Sequence, residues 1–380
     1  MNVITNKRIL NFFLDIISTA SVFLAISCAT IKISSSPLLN KENFDILAAK
    51  SIFFRSDSVH MVGLNEYKKD NANLEIKNNI EKKIENNNTC TPVEMKDNVL
   101  PEIGELEDEN THSSEEKKCT VIEKSISSGG TKCENFYVKN TTGCDINLNE
   151  YLNIKPSLKI KETSEPQVLI MHTHTSESYL PKDQGFFYEN FYPRSLDPNR
   201  NVTKVGQLIT QTLIKNGINT IHSTVYHDSP TYNGSYSRAA QTIKENLEKY
   251  PSIQMVIDIH RDSMGSKELG KIKPTFTYQG KKASQLMIIS GCDPDGTVGF
   301  PNWEKNLSLA LNLQKYCETM FPGITRPMKF AKVKYNEHLT PGSLLIEVGS
   351  DVNTIRESSY TGLMLGESIS KLLNDLKKQE

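Results

Sequence analysis

The chain has almost no net charge: 44 Lys and Arg face 45 Asp and Glu, which leaves −1. That balance excludes the broad basic field with which nucleic-acid-binding proteins attract their polymer, so no nucleic-acid partner is expected. The seven cysteines include no C-x-x-C pair. Cys90, Cys119, Cys133 and Cys144 stand at long, irregular intervals, which excludes a zinc ribbon or finger. No internal repeat is present, which excludes a solenoid. One long apolar run stands near the amino terminus. Between Arg8 and Lys32 the only charge is Asp15, and residues 16–31 are apolar or small throughout. About 20 such residues cross a bilayer as a helix. Lys7 and Arg8 precede the run, so the positive-inside bias leaves the short amino terminus in the cytoplasm and the remainder outside. Residues 1–34 are therefore expected to be a cytoplasmic stub and a single transmembrane anchor; a cleaved signal peptide is the rival reading.

Residues 65–164 lack a sustained apolar period and carry clusters such as Asn86-Asn87-Asn88 and Glu115-Glu116-Lys117-Lys118. Such a stretch buries too little apolar surface to offset the entropy of ordering its backbone. An extracytoplasmic low-complexity linker is expected over 35–164, with a small ordered piece around residues 136–152 as the alternative.

From Glu165 onward the pattern changes. Short apolar runs at 168–172, 218–223, 253–260, 286–290, 328–333 and 344–348 read as strands. Helical spacing is carried by Val202, Val205, Ile209 and Leu213, with Asn201 as a cap and Gly217 as a stop. Further helices are expected over 236–249, 303–320 and 359–377. Strands alternating with helices predict an α/β fold, a mixed, largely parallel sheet with helices on both faces, over a domain at 165–380.

Two of these strands end in histidine: Val168-Leu169-Ile170-Met171-His172-Thr173-His174 and Met255-Val256-Ile257-Asp258-Ile259-His260. Open α/β sheets place their chemistry beyond the carboxyl ends of their strands. Two imidazoles and a carboxylate form a familiar catalytic zinc set that leaves a fourth position for water. His174, Glu177 and His260 are the expected ligands, with His172 as the substitute for one of them. If the first strand ends near Met171, only His174 reaches the site and His172 packs or hydrogen-bonds. Glu347 interrupts an apolar run, where an ionised carboxylate is costly unless paired or beside a metal. It is the expected general base; the alternative is a salt bridge to Arg356 or Lys334. Arg261 and Arg238 are candidates to bind a carboxylate or polarise a carbonyl, and helix-surface charge is the alternative for Arg238.

The segments Ile170-Met171-His172-Thr173-His174-Thr175-Ser176-Glu177, Gly234-Ser235-Tyr236-Ser237-Arg238, Asp258-Ile259-His260-Arg261-Asp262 and Leu345-Ile346-Glu347-Val348-Gly349 together resemble the stage II sporulation protein P family. The resemblance runs from about Glu165 to the carboxyl terminus. It implies a zinc-dependent N-acetylmuramoyl-L-alanine amidase with endopeptidase activity on peptidoglycan cross-links and a zinc amidase-like fold. It also implies septal-wall thinning and forespore engulfment at the sporulation septum, beside a lytic transglycosylase and a polytopic membrane protein. In the wider zinc amidase class a ligand glutamate opens the first helix. Here that place falls near Asn201, where no acid stands, and Glu177 is the candidate replacement. The competing class is a non-catalytic wall-binding or scaffold module whose histidines are structural.

Overall fold

The computed structural model describes residues 99–108 and 115–378, so the expected anchor at 1–34 lies outside the described residues. Its strands are β1 (Lys118–Lys124), β2 (Thr131–Cys133), β3 (Phe136–Asn140), β4 (Val168–Met171), β5 (Phe186–Tyr188), β6 (Thr220–His222), β7 (Met255–Asp262), β8 (Gly265–Ser266), β9 (Gly270–Tyr278), β10 (Lys281–Ser284), β11 (Leu286–Gly291), β12 (Met328–Ala331) and β13 (Ser343–Ser350). Its helices are α1 (Leu148–Leu152), α2 (Val202–Lys215), α3 (Ser235–Lys249), α4 (Trp303–Met320) and α5 (Ile355–Lys377). Among the described residues no helix is long and apolar enough to cross a membrane.

The principal sheet has eight strands in the order β2-β3-β12-β11-β13-β7-β4-β6. Five of its seven pairings are parallel; β2–β3 and β11–β13 are antiparallel. The expected mixed, largely parallel sheet is thus observed. Its central strands read as unbroken apolar runs because both faces are covered. Val168, Ile170, Ile257 and Ile259 join Val205, Leu208, Leu311, Leu363 and Leu365 in the main core, under α2, α4 and α5. Leu169, Met171 and Val256 point the other way, onto Ala239 and Ile243 of α3. Helices therefore lie on both faces, as expected.

Local chemistry sets the helix ends. The Asn201 side chain accepts from Thr203 N–H at the start of α2, and Gly217 follows its end at φ 79°. The last helix begins four residues before its expected start, because Thr354 and Glu357 form a capping box. Gly366 lets α5 approach α2 closely: a Cβ there would meet Thr212 Cβ at 2.7 Å.

A second sheet, β10-β9-β1-β5 with β8 on β9, takes in β1 from the span expected to be a linker. β1 pairs in parallel with β9, while β2 and β3 close one edge of the principal sheet. Cys133, Phe136, Val138, Leu148, Leu152, Leu158 and Ile160 are all part of the main core. The expected linker over 35–164 is corrected over this span. These strands bury few of their residues, so their order comes from pairing rather than from an apolar pattern of their own. The alternative of an ordered piece at 136–152 matches α1 and β3, but as elements built into the whole fold.

A buried ion cluster joins the two layers. Lys273 on β9 lies 3.0 Å from Glu357, 2.9 Å from Asp183 and 3.2 Å from Glu123. Burial alone would lower the Lys273 pKa, but Glu357 and Asp183 raise it. Burial likewise opposes ionisation of Asp183 and Glu123, yet Lys273 and Lys282 hold both below the usual carboxylate range.

Candidate active site

Strand alternation builds the site. On β7, Ile257 and Ile259 enter the main core while Val256 faces α3, so Asp258, His260 and Asp262 share the α3 face. β13 runs parallel in register, with Leu345 opposite Asp258 and Glu347 opposite His260. β4 stops at Met171, opposite Asp258, so His260 lies beyond its end. The turn that follows β4 brings His174 into that space. The two imidazoles meet edge to face, with centroids 5.3 Å apart at 88°.

Three buried atoms in this group have no hydrogen-bond partner: His174 Nδ1, His260 Nε2 and Glu347 Oε2. An Asp258 oxygen stands 3.0 Å from His260 Nε2 but outside hydrogen-bond geometry. Asp258 instead accepts from Thr173 N at 2.7 Å and Thr173 Oγ1 at 2.6 Å, which pins the turn carrying His174. Burial disfavours the His260 imidazolium, yet Asp258 and Glu177 outweigh burial and raise its pKa well above the ordinary value. Burial lowers the pKa of His174. Burial, with Glu177 and Asp262 adding to it, pushes the Glu347 carboxyl up to about 7. Arg356 pairs with Glu105 at 2.8 Å, so it is not the partner of Glu347. Among the described residues no group of three or more His, Cys, Asp or Glu is arranged to hold a metal ion.

Glu177 is buried beside this pair. Its Oε2 lies 3.5 Å from His260 Nδ1 and accepts from Arg261 N at 3.2 Å. Burial opposes its ionisation, but His260 and Arg261 hold its pKa down to about 2. The arrangement is that of a carboxylate orienting a histidine through the ring nitrogen turned away from the site.

The structure does not bring His172 to the site. Its Nδ1 donates to Ile259 O at 2.9 Å, and its Nε2 lies 2.8 Å from His222 Nε2, under α2. Gly206 makes room for the two rings; a Cβ there would lie 2.6 Å from His222 Nε2. Burial drives the His172 pKa down to about 4, so the ring is a neutral core group. Arg261 is also turned away. Directly after His260, it falls on the opposite face of β7 and donates to Ser178 O at 3.2 Å and Pro193 O at 2.7 Å. Arg238 donates to His227 O, Asn233 O and Thr231 O, so all of its fork holds the loop before α3.

Around that loop stand residues to which the sequence assigned no role. Tyr232 stacks on His174 with centroids 4.5 Å apart, and the Arg194 guanidinium lies over the Tyr232 ring, 4.8 Å from its centroid. Arg194 also pairs with Asp228 at 2.6 Å. Tyr236, the second residue of α3, meets His174 edge-on at 5.5 Å and lies nearly parallel to His260 at 6.5 Å. Burial, followed by Asp258, raises its pKa. Tyr335 stacks on Tyr236 at 5.5 Å. The available signal was the Gly234-Ser235-Tyr236 segment: Gly234, at φ 83°, turns the chain into α3 and sets Tyr236 over the histidines.

Fold and site define a class: a mixed α/β domain with a histidine–carboxylate centre at one end of its sheet. The family model for stage II sporulation protein P matches residues 50–370, and the chain belongs to that family. Stage II sporulation protein P of Bacillus subtilis (strain 168) is 30% identical over 223 residues, which are 56% of this chain and 52% of that protein. The chain thus spans about half the length of this curated relative. Among solved structures it is similar to the N-acetylmuramoyl-L-alanine amidase AmiC2 of Nostoc punctiforme, at 13% identity and a TM-score of 0.33, over 57% of this chain and 98% of that one. The CwlD amidase from Clostridioides difficile, solved in complex with the GerS lipoprotein, gives 13% identity and a TM-score of 0.33, over 55% and 99%. At such scores the likeness carries no weight for the site.

Proposed function

We propose that the chain is a zinc-dependent peptidoglycan hydrolase of sporulation, an N-acetylmuramoyl-L-alanine amidase that also cuts peptide cross-links. The observation that carries the reading is the pair of buried, unpartnered imidazole nitrogens, His174 Nδ1 and His260 Nε2, on rings 5.3 Å apart, with an unpartnered oxygen on Glu347, the residue opposite His260 on β13. Imidazole nitrogen is the donor chemistry that zinc takes, so the residues fit the ion, with His174 and His260 as ligands. Glu177 is the third ligand or, through His260 Nδ1, the group that orients it. When bound, zinc polarises the amide carbonyl and makes its water more acidic.

The chain's own groups carry the proton. Glu347, with a pKa near neutrality, accepts a proton from the attacking water and returns it to the departing amine. Asp258 and Glu177 fix the two histidines, and Tyr232 covers His174 from the solvent side. Family membership supports a place in sporulation. The anchor, the extracytoplasmic placement at the septum, the lytic transglycosylase and the polytopic membrane partner belong to the same proposal.

The test uses the purified full chain, metal analysis and mass spectrometry of products from isolated peptidoglycan. About one zinc per chain and release of intact stem peptides are expected, both lost in His260→Ala. The scaffold reading takes over if the wild-type chain binds no zinc and leaves the wall undigested.

A further inference from the structure

An amide hydrolase needs a hydrogen-bond donor where negative charge gathers on the carbonyl oxygen, and removing such a donor costs about a hundredfold to a thousandfold in rate. Three of the arginines around the site are committed elsewhere. Arg261 and Arg238 serve backbone carbonyls, and Arg194 serves Asp228 and Ser176. Arg326 gives Nη1 to Asp262 at 2.9 Å, and its Nε and Nη2, though without a hydrogen-bond partner, are buried within the protein. The Tyr232 hydroxyl lies 3.2 Å from His174 Nε2. Tyr236 differs from all of these. Its ring is held between His260 and Tyr335 and against the edge of His174, while Asn336 Nδ2 donates to its carbonyl at 2.8 Å. Its hydroxyl makes no hydrogen bond to any described residue and is not buried.

We infer that Tyr236 is a catalytic residue of the proposed reaction: its hydroxyl donates a hydrogen bond to the scissile carbonyl oxygen and holds the charge that develops there. The inference rests on the hydrolase reading above. In the step it serves, the water oxygen bonds to the carbonyl carbon, the π pair moves onto the carbonyl oxygen, and Glu347 takes one water proton. The oxygen's pair then re-forms the C=O bond as the C–N bond breaks, the C–N electron pair stays with nitrogen, and Glu347 returns the proton to that nitrogen. Tyr236 keeps its own proton throughout, as a phenol does at neutral pH.

Tyr236→Phe in the full chain isolates the hydroxyl, because the ring contacts remain. The expected result is a kcat lower by about a hundredfold or more, KM within about threefold, and unchanged zinc content and Tm. Affinity for a phosphinic dipeptide, which mimics the tetrahedral centre, should fall by a similar factor in calorimetry. The inference is overturned by an unchanged kcat and phosphinic affinity, by loss of zinc or Tm in Tyr236→Phe, or by a defect confined to Tyr236→Ala. Its fate separates from that of the hydrolase reading. A wild-type chain that neither cleaves the wall nor binds the phosphinic peptide sinks both; one that does both while Tyr236→Phe matches it sinks the inference alone.

Discussion

His172 and His174 stand two residues apart, yet they do opposite work because β4 ends between Met171 and His172. His172, its ring nitrogens turned to Ile259 and His222, is a packing group, while His174, its ring edge to face with His260, keeps a bare nitrogen. His172→Ala should therefore keep its zinc but lose about 2–4 kcal/mol of stability, since it leaves a void and strands His222. His174→Ala should lose zinc while its metal-free Tm stays near that of the metal-free wild type. Metal analysis and thermal unfolding of the pair separate these outcomes, and equal zinc loss in both would show that the two histidines chelate together. Arg238 belongs to the same scale. Its fork holds three loop carbonyls around Tyr232, so Arg238→Lys should not rescue a fall of about tenfold in kcat/KM expected for Arg238→Ala. Sequence proximity was a poor guide here. A strand's period of two carries Arg261 away from its neighbour His260, while Arg194 and Tyr232 reach the histidines through loops that no spacing rule records.

Elements were legible where burial is two-sided. β4 and β7 lie between α3 and the helices of the main core, and β13 is buried along nearly its whole length, so their apolar runs were readable, and Glu347 stood out within one of them. β1, with a single buried residue, Cys119, gave no such signal. Its place is set by pairing with β9, the strand that carries Lys273. The Lys273 cluster therefore determines how the second sheet responds to pH. Asp183 and Glu123 have lowered folded pKa values, so their stabilisation is present above about pH 4–5 and is lost as pH falls through those values. Lys273 has a raised value, so its share is present below about pH 10 and is lost only above it. Tm should hold from about pH 5 to 10 and drop on the acid side. Lys273→Met should flatten the acid limb while costing about 3–5 kcal/mol at neutral pH, because it leaves the buried Glu357 carboxylate unpaired. Thermal scans across pH check both; an acid limb identical in Lys273→Met would assign it to other carboxylates.

At the scale of the whole molecule the question is where the folding unit begins. The composition placed a boundary at Glu165, because residues 65–164 lack an apolar period. The structure puts β1, β2 and β3 before that point and inside the two sheets, with α1 packed into the main core. Removing them strips Phe136, Val138, Leu148, Leu152, Leu158 and Ile160 from the main core, each worth about 1.5–3 kcal/mol when fully buried. Even the lower end of that sum, about 9 kcal/mol, rivals the entire stability of a typical domain, about 5–15 kcal/mol. It would also leave β9 and β12 with bare edges, which invite pairing between chains. A truncation that begins at Glu165 should therefore be insoluble or lack a cooperative thermal transition, whereas one that begins at Val99 should unfold cooperatively and keep its zinc. Circular dichroism melts of the two truncations decide it. A cooperative, zinc-loaded fragment from Glu165 would mean that the residues before it decorate the fold rather than complete it.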